Sequence, residues 1–306
     1  MTATLPTRTL GKDGPQVPVI CFGAWPLGGG MGPVEEAIGI KTVHAAIDAG
    51  STLVDTAEMY RTSESTLGKA LKGKRDKVFL ASKLSGDHSR THIREAIENS
   101  LMQLGTDHLD LYQIHSPKPQ WPIAETMAEL VKLQQEGKVV HLGVSNFKEA
   151  DTAEAAKYGR IQSSQPHYSM LFRRAEQDPL PYCLENGTGV MVYSPIGRGL
   201  LTGKYTASHR FDSNDTRSSH PSLTPEVRAG AAEICKRLEP FAKDHGYTMA
   251  QLAIAWTLAN PAVTVAICGA KNPEQAVENA RAGTWQLTES DMADIEQQIT
   301  GLSKGV

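Results

Sequence analysis

Thr52-Leu53-Val54-Asp55-Thr56-Ala57-Glu58-Met59-Tyr60 runs from a short apolar segment into an acid and then into a polar turn. Thr52–Val54 reads as a brief strand, and Asp55 and Tyr60 follow where it ends. The same pattern recurs along the chain. Val19–Phe22, Val78–Ala81, Leu109–Ile114, Val140–Val144, Ile161–Ser164, Gly189–Val192 and Thr264–Ile267 are each short and, apart from the polar Ile161–Ser164, mostly apolar, as parallel strands buried on both faces must be. Amphipathic stretches lie between them. Ile93, Ile97, Leu101 and Leu104 share one helical face, as do Ile123, Met127, Leu130 and Val131. Eight strand-and-helix units without a compositional break predict an α/β chain folded as a (β/α)8 TIM barrel, with residues 1–306 as a single domain. A β-hairpin is expected ahead of the barrel, around the turn residues Gly11-Lys12-Asp13-Gly14.

Composition narrows the partners. With 40% hydrophobic residues in 306, the chain can build a large core. Its 31 Lys plus Arg stand against 34 Asp plus Glu, so it lacks the basic excess of a nucleic-acid binder, and a small-molecule substrate is expected. Cys21, Cys183, Cys235 and Cys268 are widely spaced, which predicts buried thiols rather than a disulfide framework or a zinc site. Neither an apolar leader nor a membrane-length apolar run is visible, so the expected location is the cytoplasm.

Two segments interrupt the rhythm. Gly23–Glu36 follows the first barrel strand and Gly203–Pro225 the seventh; irregular loops of such length usually have a use, and both fall on the face where barrels build their sites. The second is read as a lid. The reactive residues fall on that face too: Asp55 after strand two, Lys83 after three, His115 after four, Ser145 and Asn146 after five, Gln165 after six, Tyr193 and Ser194 after seven, Gly269 after eight. Each alone is explained as a cap, a turn former or a satisfied buried polar group. Their joint placement is not.

At this point Leu53–Tyr60 resembles the signature of the aldo-keto reductases, joined by Ser82-Lys83, Ile114-His115 and Gly143–Phe147. Tyr193–Lys204 (YSPIGRGLLTGK) and Gly269-Ala270-Lys271 with Gln275, Glu278 and Asn279 look like that superfamily's cofactor-binding motifs. The pattern is most similar to a bacterial NADP-dependent branch related to potassium-channel β-subunits, except that Arg61 stands where that branch has glycine. The resemblance spans nearly the whole chain. It implies carbonyl reduction with NADPH by Asp55, Tyr60, Lys83 and His115, with Tyr60 as proton donor.

The residue types suit that chemistry. Hydride attack on a carbonyl leaves an alkoxide, which needs a proton and nearby positive charge. A phenol is a reluctant acid at neutral pH, so a lysine ammonium beside Tyr60 would help it, and Asp55 would keep Lys83 charged. Ser145, Asn146 and Gln165 offer donors and acceptors for a carboxamide, and Tyr193 offers a ring for stacking. Ser194 and the turn Gly197-Arg198-Gly199-Leu200 suit a pyrophosphate. Asn272-Pro273 reads as a helix start that places Gln275 and Asn279 on one face, with Glu278 beside them, for the adenosine. Lys271 at that entrance is the expected cation for a 2′-phosphate, whose charge Arg210 and Arg217 in the lid could share, and Lys204 is a further expected cofactor-binding residue. Trp25, Met31, Arg61 and Trp121 are the expected substrate-pocket residues.

Other readings stay open. Gly28-Gly29-Gly30-Met31-Gly32 lacks the dinucleotide-fold register and reads as a flexible rim. His44, His88 and His92 suggest no metal, since a third ligand is wanting. A redox-sensing NADPH-binding subunit, or a Schiff-base aldolase using Lys83, would use some of the same residues.

Overall fold

The computed structural model describes residues 5–206, 208–213 and 215–302. Strands β1 (Thr7–Thr9) and β2 (Gln16–Pro18) pair antiparallel across the Gly11–Gly14 turn, with Thr7 opposite Pro18. A Cβ on Gly14 would lie 1.9 Å from the Leu10 carbonyl oxygen, so only glycine lets this turn close. The hairpin plugs one end of the barrel built by the rest of the chain. Leu10 and Val17 are fully buried against Cys21, Leu53, Ala81, Leu111, Met191 and Val265, residues at or near the starts of the barrel strands.

The chain then alternates: β3 (Ile20–Gly23), α1 (Glu36–Asp48), β4 (Leu53–Asp55), α2 (Ser63–Ala70), β5 (Phe79–Leu84), α3 (Arg90–Leu104), β6 (Leu109–Ile114), α4 (Ile123–Gln135) and β7 (Val139–Ser145). It continues with α5 (Glu149–Ala156), β8 (Ile161–Gln165), α6 (Leu180–Asn186), β9 (Gly189–Tyr193), α7 (Pro225–Asp244), α8 (Met249–Ala259), β10 (Val265–Gly269), α9 (Pro273–Ala282) and α10 (Glu289–Ile299). Strands β3 to β10 close into a barrel, β9 pairing with β10 and β10 with β3, and every neighbouring pair is parallel. The helices ring it. Ile93, Ile97, Leu101 and Leu104 of α3 are buried on the barrel, as are Met127 and Leu130 of α4, while Ile123 and Val131 are half-buried at its edge.

Two features differ from the sequence reading. The sequence after the lid reads as one long helix leading to the eighth barrel strand, but the structure has two: α8 is buried nearly all round because α7 covers it, which explains its uniformly apolar sequence MAQLAIAWTLA. Most barrel strands also reach further than their apolar runs suggest, taking in Gly23, Asp55, Lys83, Ser145, Gln165, Tyr193 and Gly269. The four cysteines are buried and free. Among the described residues, no helix is long and apolar enough to cross a membrane.

The rim is packed. A Cβ on Gly28 would lie 2.2 Å from the Tyr60 carbonyl oxygen, and one on Gly30 would lie 2.3 Å from the Trp25 ring. The glycine run is therefore not the flexible rim its composition suggests: it allows the loop to pass close beneath Tyr60 and Trp25. The lid loop rests on it, with Thr216 Oγ1 donating to the Gly30 carbonyl at 2.5 Å, and Lys271 Nζ donating to the Met31 carbonyl at 2.8 Å.

Candidate active site

Asp55 ends β4 with its carboxylate inside the barrel, 3% exposed. An ion so buried needs partners, and it has three: Lys83 Nζ at 2.5 Å, Gln165 Nε2 at 3.0 Å and Gln113 Nε2 at 3.2 Å. Lys83 comes from β5, is completely buried, and also donates to the Thr56 carbonyl at 2.8 Å. Burial by itself would lower the Lys83 pKa; Asp55 and then Tyr60 outweigh it, so the net shift is upward and the ammonium persists. Room for Gln113 is made by Gly143 on the adjacent strand, where a Cβ would sit 3.0 Å from Gln113 Cγ and 2.3 Å from Ser163 Oγ.

Tyr60 stands in the turn after β4, with Lys83 Nζ 5.0 Å from its ring centroid. Trp25 meets that ring edge-on at 4.8 Å, and His115 does so at 5.6 Å. Burial raises the Tyr60 pKa more than Lys83 lowers it, so the phenol keeps its proton. His115 follows β6. Burial, then the charges of Lys83 and Lys118, depress its pKa to about 3, which leaves a neutral imidazole. Its Nδ1 lies 2.8 Å from Ser85 Oγ, and the Ser85 amide donates to Glu58. If Ser85 donates to Nδ1, the ring proton sits on Nε2.

A third group forms around β7 and β9. Asn146 donates to the His115 carbonyl at 2.9 Å and accepts from the Tyr193 hydroxyl at 2.8 Å, while Ser145 donates to the Gln165 carbonyl at 3.0 Å. Asn146, Ser194 and Arg198 all adopt positive φ, at 59°, 58° and 56°, a conformation that costs energy in non-glycine residues. They cluster at one place, the mouth of the barrel.

That mouth is a cavity of about 300 Å³ lined by Trp25, Met31, Asp55, Met59, Tyr60, His115, Ser145, Asn146, Gln165, Tyr193, Ser194, Arg198, Gly199 and Gly269, among others. Residues far apart in the sequence thus meet at one point. A larger open groove, about 1100 Å³, lies by the hairpin and contains Arg8, Arg173, Glu176 and Glu296. Those charges are occupied with carbonyls or with each other, and the groove holds no comparable reactive set.

Not every candidate residue reaches the cavity. Arg61, exposed with φ 50°, and Trp121, in the turn before α4, do not line it. Leu200 is buried in the core under α7, and Gly197 sits against Leu171. Lys204 lies exposed in the lid. Arg217 is held by Asp215 at 2.6 Å and lies over the Phe211 ring, so its charge is already matched. Lys271 makes no ion pair among the described residues. At α9, Asn272 caps the helix as expected, accepting from the Gln275 amide, and Gln275 Oε1 accepts from the Lys271 amide. Asn279 donates to the Gly269 carbonyl, whereas Glu278 faces away toward α8 and accepts from Thr248 at 2.8 Å. Gln165 has its amide nitrogen committed to Asp55 and Gln113, which leaves only its oxygen for a ligand. Among the described residues, no group of three or more His, Cys, Asp or Glu could hold a metal ion; His44 is bonded to the Ala70 carbonyl.

Gln113, Ser85, Glu58 and the side chain of Arg198 were not expected from the sequence. Gln113 alone carried a signal there: it stands two residues before His115 in an apolar strand and so faces the same way.

Residues 19–299 match the model of the aldo/keto reductase family. Aldo-keto reductase YhdN of Bacillus subtilis is 37% identical over 293 residues, covering 90% of this chain and 88% of its own length. A protein of Escherichia coli named as an NADH-specific methylglyoxal reductase is 32% identical, covering 92% and 95% respectively. The solved structure of a glycerol dehydrogenase from Gluconobacter oxydans superposes with a TM-score of 0.86 at 31% identity, covering 96% of this chain and 94% of that one. The likeness thus extends along almost the full length of the chain, which belongs to the aldo/keto reductase family of oxidoreductases.

Proposed function

We propose that the protein reduces aldehydes or ketones to alcohols with NADPH, reversibly, with Tyr60 as general acid. The observation that carries this reading is a protonated phenol held between the Lys83–Asp55 pair and His115 at the floor of one cavity. When bound, the reduced nicotinamide supplies hydride to the carbonyl carbon. Tyr60 gives its proton to the carbonyl oxygen, and the Lys83 ammonium stabilises the phenolate left behind. Asp55 fixes the ammonium in place. His115, neutral and lining the cavity, orients the carbonyl by a hydrogen bond when its ring proton sits on Nε2. A panel of aldehydes, ketones and polyols, followed by NADPH consumption or formation, tests the reading; no turnover across the panel would sink it.

The residues present fit a dinucleotide. In the turn after β9, Ser194, Gly197, Arg198 and Gly199 stand at positive φ; Ser194 and Gly199 line the cavity, and Gly199 leaves space where a Cβ would press on Arg217 at 3.2 Å, while the Gly197 and Gly199 amides are bonded to the Ser194 and Ile196 carbonyls. Asn146 and Gln165 would meet the carboxamide, and Tyr193 the nicotinamide ring. Gln275 and Asn279 would lie along the adenosine; Glu278 would have to release Thr248 to join them.

Preference for NADPH over NADH rests on Lys271, whose ammonium has only a carbonyl partner among the described residues and sits at the start of α9. A charge-assisted contact of about 1.5–3 kcal/mol to the 2′-phosphate means that Lys271→Ala weakens NADPH binding by roughly one to two orders of magnitude and barely changes NADH. Titration of both cofactors by tryptophan quenching checks this. Equal losses would make Lys271 a support of the Met31 loop only.

Ser85 is the positioning residue for His115. Ser85→Ala leaves Nδ1 without a partner, so the imidazole no longer holds one tautomer; kcat/KM falls roughly five- to tenfold, while NADPH affinity is unchanged. Unchanged kcat/KM across pH would contradict that role. The geometry also speaks against Lys83 forming an imine. Its nitrogen is protonated, wholly buried and committed to Asp55 and Thr56, and borohydride should trap no substrate on it.

A further inference from the structure

Arg198 extends into the catalytic cavity as a cation without a counter-ion. It makes no ion pair among the described residues, and its Nε is buried without an acceptor. The groups whose titration feels its charge are Tyr60, Tyr193, His167 and His220, none of them a carboxylate. His167 and His220 both have lowered pKa values, for which burial is the main cause, so neither answers the guanidinium with charge. The backbone at Arg198 is held at φ 56°, between two glycines that are also at positive φ, a strained way to place a side chain. A desolvated, unpaired cation is costly in a folded protein unless a ligand supplies the anion.

Resting on the reductase reading, we propose that Arg198 is the specificity determinant of this site and that the preferred substrates are carbonyl compounds bearing a carboxylate. Two observations favour the substrate over the cofactor as the source of the anion. Arg198 lines the same cavity as Tyr60 and His115, where a carbonyl must lie for Tyr60 to protonate it. The Lys271 ammonium, bonded to the Met31 carbonyl and placed for the cofactor's 2′-phosphate, lies instead at the start of α9. A guanidinium offers paired donors that match the two oxygens of a carboxylate. The Trp25 indole N–H, in the same cavity lining, is likewise buried without an acceptor.

The test compares 4-carboxybenzaldehyde with its methyl ester, which present the same aldehyde with and without the charge. The wild-type protein should favour the acid in kcat/KM. In Arg198→Met that acid-to-ester ratio should fall about ten- to hundredfold, mainly through KM, and Arg198→Lys should fall between the two. An unchanged ratio overturns the proposal, and an unchanged ratio with weakened NADPH binding reassigns Arg198 to the cofactor. Benzoate binding, read by tryptophan fluorescence on the NADPH complex, tests the cation without turnover. Loss of that binding in Arg198→Met supports the anion site even if neither aldehyde is reduced, a result that would count against the reductase reading alone. Equal benzoate binding by both proteins overturns the site.

Discussion

Tyr60→Phe is expected to lower carbonyl reduction by about 10²–10⁴-fold while leaving NADPH binding intact, because only the proton donor is removed. The ring that remains still meets Trp25 and His115 edge-on, so the walls of the cavity are kept. Single-turnover reduction of a reactive aldehyde, beside a cofactor titration, separates the two quantities. Near-wild-type turnover would remove Tyr60 as the acid; lost cofactor affinity would point to a misfolded mouth instead. The wild-type pH profile has a defined sign. Burial outweighs Lys83 and raises the Tyr60 pKa above that of an ordinary phenol, so the proton is in place throughout the neutral range and reduction declines only on the alkaline side. His115, pushed down to about 3, contributes no titration near neutrality, so an acid limb near the usual histidine value would contradict its neutral role.

Burial is what makes the barrel legible in the sequence. Parallel strands covered on both faces must be apolar, so Leu109–Ile114 and Gly189–Val192 announce themselves. The strand ends read short for a physical reason. The upper layer of this barrel interior is polar, so Asp55, Lys83, Ser145 and Gln165 pair in the sheet while looking like the first residues of loops. The doubled helix before β10 escapes a sequence reading because α8 has no polar face of its own to mark where α7 ends.

For the candidate site, the order of the motifs is enough to bring Asp55, Tyr60, Lys83 and His115 together, but not to say what each side chain is already bonded to. Arg217 looks like a free cation for a phosphate, yet Asp215, two residues earlier, takes it. Glu278 shares the α9 surface with Gln275, but the turn of the helix aims it at Thr248. Gln113 and Ser85 sit in β6 and just after β5, where only the closed barrel shows that one serves Asp55 and the other His115. Arg198 is hidden by its neighbours: a glycine-flanked arginine reads as part of a backbone turn, and only the fold shows its side chain in the cavity.

Lys83→Met should cost both activity and stability, by separable routes. The ammonium is the largest compensation for the Asp55 carboxylate, which is 3% exposed and otherwise has only two amide donors. Removing one partner of a buried pair strands the other charge, at a cost of about 3–5 kcal/mol, whereas removing both and leaving groups of similar shape is often close to neutral. Asp55→Asn combined with Lys83→Met should therefore melt well above Lys83→Met alone, since the asparagine needs no counter-charge. Activity follows a different course. Without the ammonium, the phenolate formed when Tyr60 gives up its proton has no positive neighbour at the cavity floor, so turnover collapses in the single variant and stays collapsed in the double. Thermal melts of the wild type, the two single variants and the double variant form a double-mutant cycle for the pair. A coupling of about 2 kcal/mol or more with no recovery of turnover is the expected outcome; strictly additive stability losses would mean that Gln113 and Gln165 can hold Asp55 without Lys83, and that the lysine serves the phenol alone.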